Sequence, residues 1–249
     1  MKISKLMMVL GFTAATSFVS LAQAQTTKSV KGDPYTLKNC PVSGDELNDE
    51  MVVKEYDGRE VRFCCTDCIT AFEKKPDKYW KKINAMEIKQ QLPWYPMTTC
   101  VVTGNELKHT SMGDPVNYIY NNRLVRFCCA GCIKKFKKDP TAYLAKLDEQ
   151  VIAQQQANYP LKKCVVSGES LSDSSMGGPI DMVFANRLVR FCCAGCPKKF
   201  KKDPVGYFAK IDKAYGDNLP TLKNAEAEAM SEEHAGKDDH QHGNHDHGG

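Results

Sequence analysis

The residues in this chain best suited to chemistry are its cysteines, and they fall into three sets. All 12 belong to Cys40, Cys64, Cys65 and Cys68, to Cys100, Cys128, Cys129 and Cys132, or to Cys164, Cys192, Cys193 and Cys196. Each set has one isolated cysteine, a spacer of 23 residues in the first copy and 27 in the other two, and then Cys-Cys-x-x-Cys. Three chemistries suit such a set. Thiolates hold soft transition-metal ions such as Cu(I) or Zn(II). Even numbers of cysteines in small exported modules form disulfides, and four cysteines allow three pairings. Cys-x-x-Cys at a helix start also describes thiol–disulfide oxidoreductases. The spacing ranks them in that order. Cys65–Cys68 would close only a four-residue loop, which braces little. No βαβ pattern frames the dithiol, and one redox site would not need triplication.

The segments around the cysteines repeat with them. The last cysteine of each set lies 64 residues from the next. "CPVSG", "CVVTG" and "CVVSG" open the copies, and "AFEKKPDKYW", "KFKKDPTAYL" and "KFKKDPVGYF" close them. Self-similarity at a fixed period means one small module written three times. A module of this size has little core of its own and usually needs a disulfide or metal staple. The pattern predicts an α+β fold class for each module. A tight turn at Gly44, Gly104 or Gly168 is followed by a hairpin, "VVKEY-DG-REVRF", "VNYIY-NN-RLVRF" or "DMVF-AN-RLVRF". The second strand then ends on Phe63, Phe127 or Phe191, immediately before the cysteines. A short helix carries Cys68, Cys132 or Cys196 in its first turn. Pro76, Pro140 or Pro204 ends that helix or starts another, which brings Tyr79, Tyr143 or Tyr207 inward.

This order of elements gathers cysteines that are distant in sequence. A knuckle supplies one thiol and a strand-to-helix junction the others, beside backbone N–H groups that favour thiolate. Adjacent cysteines in a strand point to opposite faces and cannot share an ion, whereas at a junction both can. Cys64 and Cys68 are therefore the core pair, with Cys65 as the fourth ligand. The same ranking makes Cys128 and Cys132, and Cys192 and Cys196, core pairs, with Cys129 and Cys193 as their fourth ligands. Each module would hold one transition-metal ion, copper or zinc.

The pattern C-P-V-S-G … F-C-C-x-x-C-x-x-x-F-x-x-x-P-x-x-Y resembles the TRASH and YHS domain families, small treble-clef-like metal-binding modules. The resemblance covers most of residues 35–215. It implies three treble-clef-like modules, each with a lone cysteine followed by C-x3-C, and a role in heavy-metal handling, sensing or resistance. The second knuckle position of a four-cysteine zinc site is here Ser43, Thr103 or Ser167.

The chain ends set the expected setting. "MKISKLMMVLGFTAATSFVSLAQAQ" has lysines, an apolar stretch and Ala-Gln-Ala, the form of a cleavable signal peptide over residues 1–24. That implies a periplasmic protein with no membrane span after cleavage. From residue 223 the chain is poor in apolar residues and reads as a disordered tail holding His234, His240, His242, His245 and His247. Imidazoles interleaved with Asp and Gly suit capture of zinc, nickel or Cu(II). His109 reads as a surface residue, and Met112 and Met176 as turn anchors. The expected organisation is a signal over 1–24, modules over 35–90, 94–156 and 159–220, and the tail over 223–249.

The net charge is +4, and outside the signal and tail 30 basic residues face 23 acidic ones. Lysines such as those of "IKKFKKDP" could offset thiolate charge or form a solvated helix face. With export expected, nucleic acid is not among the expected partners. No Gly-rich phosphate loop, Ser–His–Asp arrangement or acid–base pair recurs with the modules, so the expected protein is not an enzyme. It is an exported heavy-metal-binding protein for sequestration, trafficking or resistance. Its expected partners are metal ions and a metal efflux or uptake transporter. The alternatives are a disulfide-stabilised periplasmic interaction protein and, third, a thiol–disulfide oxidoreductase.

Overall fold

The structure is a computed structural model that describes residues 32–108, 113–172, 175, 178–217 and 219. The expected signal over 1–24, the tail over 223–249 with its five histidines, and His109, Met112 and Met176 lie outside the described residues.

Three antiparallel hairpins form where alternation and turn residues predict them. Strand β1 (Val52–Tyr56) pairs with β2 (Arg59–Phe63), β3 (Val116–Tyr120) with β4 (Arg123–Phe127), and β5 (Ile180–Phe184) with β6 (Arg187–Phe191). The registers are equivalent: Val52 faces Phe63, Val116 faces Phe127 and Ile180 faces Phe191. Both turn residues have positive φ in every copy: Asp57 and Gly58, Asn121 and Asn122, Ala185 and Asn186. These are the conformations a two-residue type I′ turn requires. Ala185, at φ 49°, has no side chain that eases this region, which costs about 1–2 kcal/mol. Tertiary contacts hold it there: the Ala185 N–H donates to Asp33 Oδ2 at 2.7 Å, and Asn186 Nδ2 donates to the Leu124 carbonyl at 3.0 Å.

Each hairpin runs straight into a helix. These are α1 (Thr66–Lys74), α3 (Gly131–Phe136) and α5 (Cys196–Phe200). Pro76, Pro140 and Pro204 then start α2 (Pro76–Gln91), α4 (Pro140–Gln155) and α6 (Pro204–Tyr215), occupying a position where a missing N–H costs nothing. Asp139 and Asp203 cap the last two by accepting from Ala142 N and Gly206 N. Lys75 at the matching position of α2 makes no side-chain cap. Three aromatics repeat in each copy's core. Phe63, Phe127 and Phe191 meet Phe72, Phe136 and Phe200 edge-on at 5.3–5.7 Å, and those rings lie 5.7–6.0 Å from Tyr79, Tyr143 and Tyr207. Such pairs contribute roughly 0.5–1.5 kcal/mol beyond the area they bury.

The copies are packed into one compact unit rather than strung apart. Each long helix of the first two copies ends on a glutamine that completes the next hairpin. Gln91 Oε1 accepts from Leu124 N at 2.8 Å while its Nε2 donates to the Asn122 carbonyl at 2.9 Å. Gln155 repeats both bonds with Leu188 N and the Asn186 carbonyl. A 3-10 turn (Leu92–Trp94) sends Trp94 into the third copy's core, where the Arg187 guanidinium lies 4.2 Å from its ring centre. Arg62 links the first copy to the third, donating to the carbonyls of Lys201 and Lys202 at 2.8 and 3.0 Å. Among the described residues no helix is long and apolar enough to cross a membrane.

Candidate metal centre

The lone cysteine of each copy sits at the start of a knuckle built almost entirely from backbone bonds. The Cys40 N–H donates to the Asp45 carbonyl and the Gly44 N–H returns to the Cys40 carbonyl, at 2.8 and 3.0 Å. The same two bonds recur at Cys100 and at Cys164. Closing this turn requires φ of 87°, 74° and 80° at Gly44, Gly104 and Gly168, which glycine adopts without steric cost. The knuckle turns its thiol toward the strand-to-helix junction, where Cys64, Cys128 and Cys192 follow the last strand residue. Cys68, Cys132 and Cys196 lie in the first helical turn.

Three sulfur triads result. Those of Cys40, Cys64 and Cys68, of Cys100, Cys128 and Cys132, and of Cys164, Cys192 and Cys196 each lie within 4.8 Å of one another, and each triad could hold a metal ion. The spacing suits an ion. Sulfurs bonded at about 2.3 Å to one centre are separated by about 3.8–4.0 Å in tetrahedral or trigonal geometry. Cys64 and Cys68 are 3.6 Å apart, and both Cys128–Cys132 and Cys192–Cys196 are 3.8 Å apart. Eight of the nine triad cysteines are buried; Cys64 is the one partly open to solvent.

The electrostatics divide the work within each triad. Burial opposes the thiolate of Cys40, but hydrogen bonds from the Ser43 hydroxyl and the N–H groups of Cys64, Ser43 and Val42 outweigh it and lower its pKa to about 7. Cys100 is lowered to about 7 in the same way, against burial, by Thr103 and by the N–H groups of Cys128, Thr103 and Val102. At Cys164, also about 7, the N–H groups of Cys192 and Ser167 and the Ser167 hydroxyl overcome burial. The helix cysteines go the other way. Burial, reinforced by neighbouring thiols, pushes Cys132 and Cys196 up to about 12 and Cys68 higher still. Each triad thus has one sulfur whose thiolate is favoured and one whose thiol is favoured.

Cys65, Cys129 and Cys193 fall outside the mutually close groups but adjoin them. Cys65 Sγ is 3.9 Å from Cys64 Sγ, Cys129 Sγ is 3.7 Å from Cys132 Sγ, and Cys193 Sγ is 3.6 Å from Cys196 Sγ. Cys65 is exposed and Cys129 and Cys193 are half-buried, as is Cys64 of the first triad. Backbone N–H groups, chiefly those of Cys68, Cys132 and Gly195, lower their pKa values.

Sequence reasoning treated Ser43, Thr103 and Ser167 as departures from a ligand pattern. The structure places their hydroxyls on triad sulfurs, 3.3 Å from Cys64, 3.4 Å from Cys128 and 3.2 Å from Cys192. Recurrence of a hydroxyl residue three positions after each lone cysteine was the signal available for this role. Asn105 is a neighbour of the second site alone, its Nδ2 3.9 Å from Cys128 Sγ, and Asp45 and Glu169 stand at the matching positions. Lys134, Lys135, Lys137 and Lys138 are exposed, with the Lys137 ammonium over the Tyr118 ring, as expected of a solvated face. Comparison of the chain with family models, with curated proteins and with solved structures finds no match.

Proposed function

We propose that this protein binds soft transition-metal ions, one Cu(I) or Zn(II) per cysteine triad, and serves in metal sequestration or trafficking without a catalytic step. The observation that carries the proposal is the threefold recurrence of three sulfurs at ion-sharing distance, each triad pairing a knuckle thiol of lowered pKa with one helix thiol whose pKa is raised. Cu(I) accepts three thiolates readily, whereas Zn(II) in structural sites takes four ligands. The triads therefore favour Cu(I). The resemblance to TRASH and YHS modules, with their treble-clef-like architecture, supports the same role on the pattern of the cysteines.

In this reading the leader directs the chain to a periplasm. The histidines His234, His240, His242, His245 and His247 form a weaker capture site that feeds the triads, and a membrane metal transporter is the exchange partner. The test is elemental analysis together with a free-thiol count on the full chain purified anaerobically. Three ions per chain, lost one at a time in Cys100→Ser and Cys164→Ser variants, support the proposal. A protein with no metal and no free thiols is instead a disulfide scaffold.

A further inference from the structure

The open cysteine next to each triad lies outside the mutually close group, yet it recurs three times. A tetrahedral four-thiolate centre needs all six sulfur–sulfur separations near 3.8 Å, given metal–sulfur bonds of about 2.3 Å. Cys65, Cys129 and Cys193 do not meet that condition with every member of their triads, because only the other three cysteines form mutually close groups. Each instead abuts a triad at 3.6–3.9 Å and reaches solvent, while eight of the nine triad members are buried. The open sulfur is thus the next donor beside the triad, in contact with one of its members and reachable from solvent.

We propose that Cys65, Cys129 and Cys193 are exchange thiols. They receive the soft metal ion from the buried triad and hand it to a thiolate-bearing acceptor, and they run the same steps in reverse on loading. The inference rests on the triads being metal sites. In each step one metal–sulfur bond forms and one breaks, with no change in oxidation state. The open thiol loses its proton as its sulfur joins the ion, and the displaced triad thiolate takes a proton up. An acceptor cysteine then attacks the ion on the solvent side, so the triad never has to open. In the second and third copies all three triad sulfurs are buried, so the open thiol is the route by which an acceptor reaches the ion there.

The experiment loads the full chain anaerobically with Cu(I), treats it briefly with N-ethylmaleimide, and locates the adducts by peptide mass spectrometry. The expected result is modification of Cys65, Cys129 and Cys193 while the nine triad cysteines of the copper-loaded chain stay unmodified. Release of Cu(I) to a chromophoric chelator should then be at least tenfold slower from the modified protein than from the unmodified one. Protection of all twelve would make the open thiols permanent ligands and overturn the exchange role while leaving the metal sites intact. Equal release rates would overturn it as well. Triad thiols that are modified in the copper-loaded chain as fully as the open ones would remove the metal sites, and the inference with them.

Discussion

Asp33 and Arg123 form a nearly buried ion pair, Oδ2 to Nε at 2.5 Å, between the segment ahead of the first knuckle and the second hairpin. The same carboxylate accepts from Ala185 N in the third hairpin's turn, and Arg123 also donates to the Val183 carbonyl. One aspartate thereby touches the second and third copies from the first. Breaking a buried pair by removing one partner typically costs about 3–5 kcal/mol, and the remaining Arg123–Asp148 contact softens this. Asp33→Ala is predicted to lower stability by about 2–4 kcal/mol. The check is urea unfolding followed by both tryptophan fluorescence and far-UV dichroism. The two probes should shift together, because the copies share this contact; separated transitions would show that the copies unfold independently.

Glu87 gives the same junction a pH dependence. Its carboxylate pairs with Arg59 at 2.5 Å in a fully buried position. Burial outweighs that pairing, with Asp33 adding to it, and raises the pKa from 4.5 to about 7. The folded state therefore binds this proton more tightly than the unfolded chain does. The contribution is fully present below about pH 4.5 and is lost as pH rises toward 7, by at most about 3 kcal/mol. Glu87→Gln keeps an oxygen for Arg59 and has no proton to lose. The difference in unfolding free energy between wild type and variant should therefore change between pH 4.5 and 7 and be flat outside that range. A constant difference across the range would place the Glu87 pKa at its ordinary value.

The local elements were legible in the sequence, and the seams between copies were not. Two-residue turns rich in Asn, Asp and Gly between alternating strands, and prolines that can only begin a helix, identify hairpins and helices within single copies. Gln91 and Gln155 look like ordinary helix-end residues. Their significance lies in strands more than thirty positions downstream, and hydropathy and spacing within one copy do not encode such a bond. Their recurrence 64 residues apart, matched by Asn122 and Asn186, was the readable trace. The triads were legible because cysteine chemistry narrows the choices. The openness of Cys65, Cys129 and Cys193 depends on where the extended chain stops, and only the backbone decides that.

The seam glutamines can be tested directly. Gln155→Ala leaves the Leu188 N–H and the Asn186 carbonyl buried and unpaired, at about 1–3 kcal/mol for each group. Stability should fall by roughly 2–4 kcal/mol. Gln155→Glu should fare no better, because it keeps the acceptor for Leu188 but loses the donor to Asn186. Thermal unfolding of both variants checks this, and a loss below about 0.5 kcal/mol, the range of ordinary surface changes, would deny the seam its role.

Metal affinity should follow pH with a break near 7. In the third triad Cys164 is already an anion above about pH 7, whereas Cys196 is pushed up to about 12 and Cys192 is also raised. Between pH 7 and 9 an incoming ion must therefore displace two protons, and below 7 it must displace three, since ligating thiols bind as thiolates. The affinity should fall as pH drops, by about a hundredfold per unit above the break and about a thousandfold below it. Competitive titration with a chelator of known pH dependence checks the slope. A single-proton slope would mean that one thiolate carries the binding.

Ser167 offers a way to change which metal the third site prefers. Its hydroxyl lies 3.2 Å from Cys192 Sγ, on the knuckle side of the triad and three residues from Cys164. A cysteine in that place would add a fourth sulfur from a backbone already shaped by Gly168, completing a tetrahedral donor set of the kind that structural Zn(II) sites use. Ser167→Cys is predicted to raise affinity for Zn(II) and for its spectroscopic substitute Co(II) by at least tenfold at this site, and to leave Cu(I) affinity nearly unchanged, because Cu(I) gains little from a fourth thiolate. Co(II) titration monitored by its visible ligand-field bands reads the result. Tetrahedral absorption should develop for one site per chain in the variant. If the wild-type chain already gives that spectrum at all three sites, then Cys65, Cys129 and Cys193 must close the coordination shell, and they cannot serve as exchange thiols.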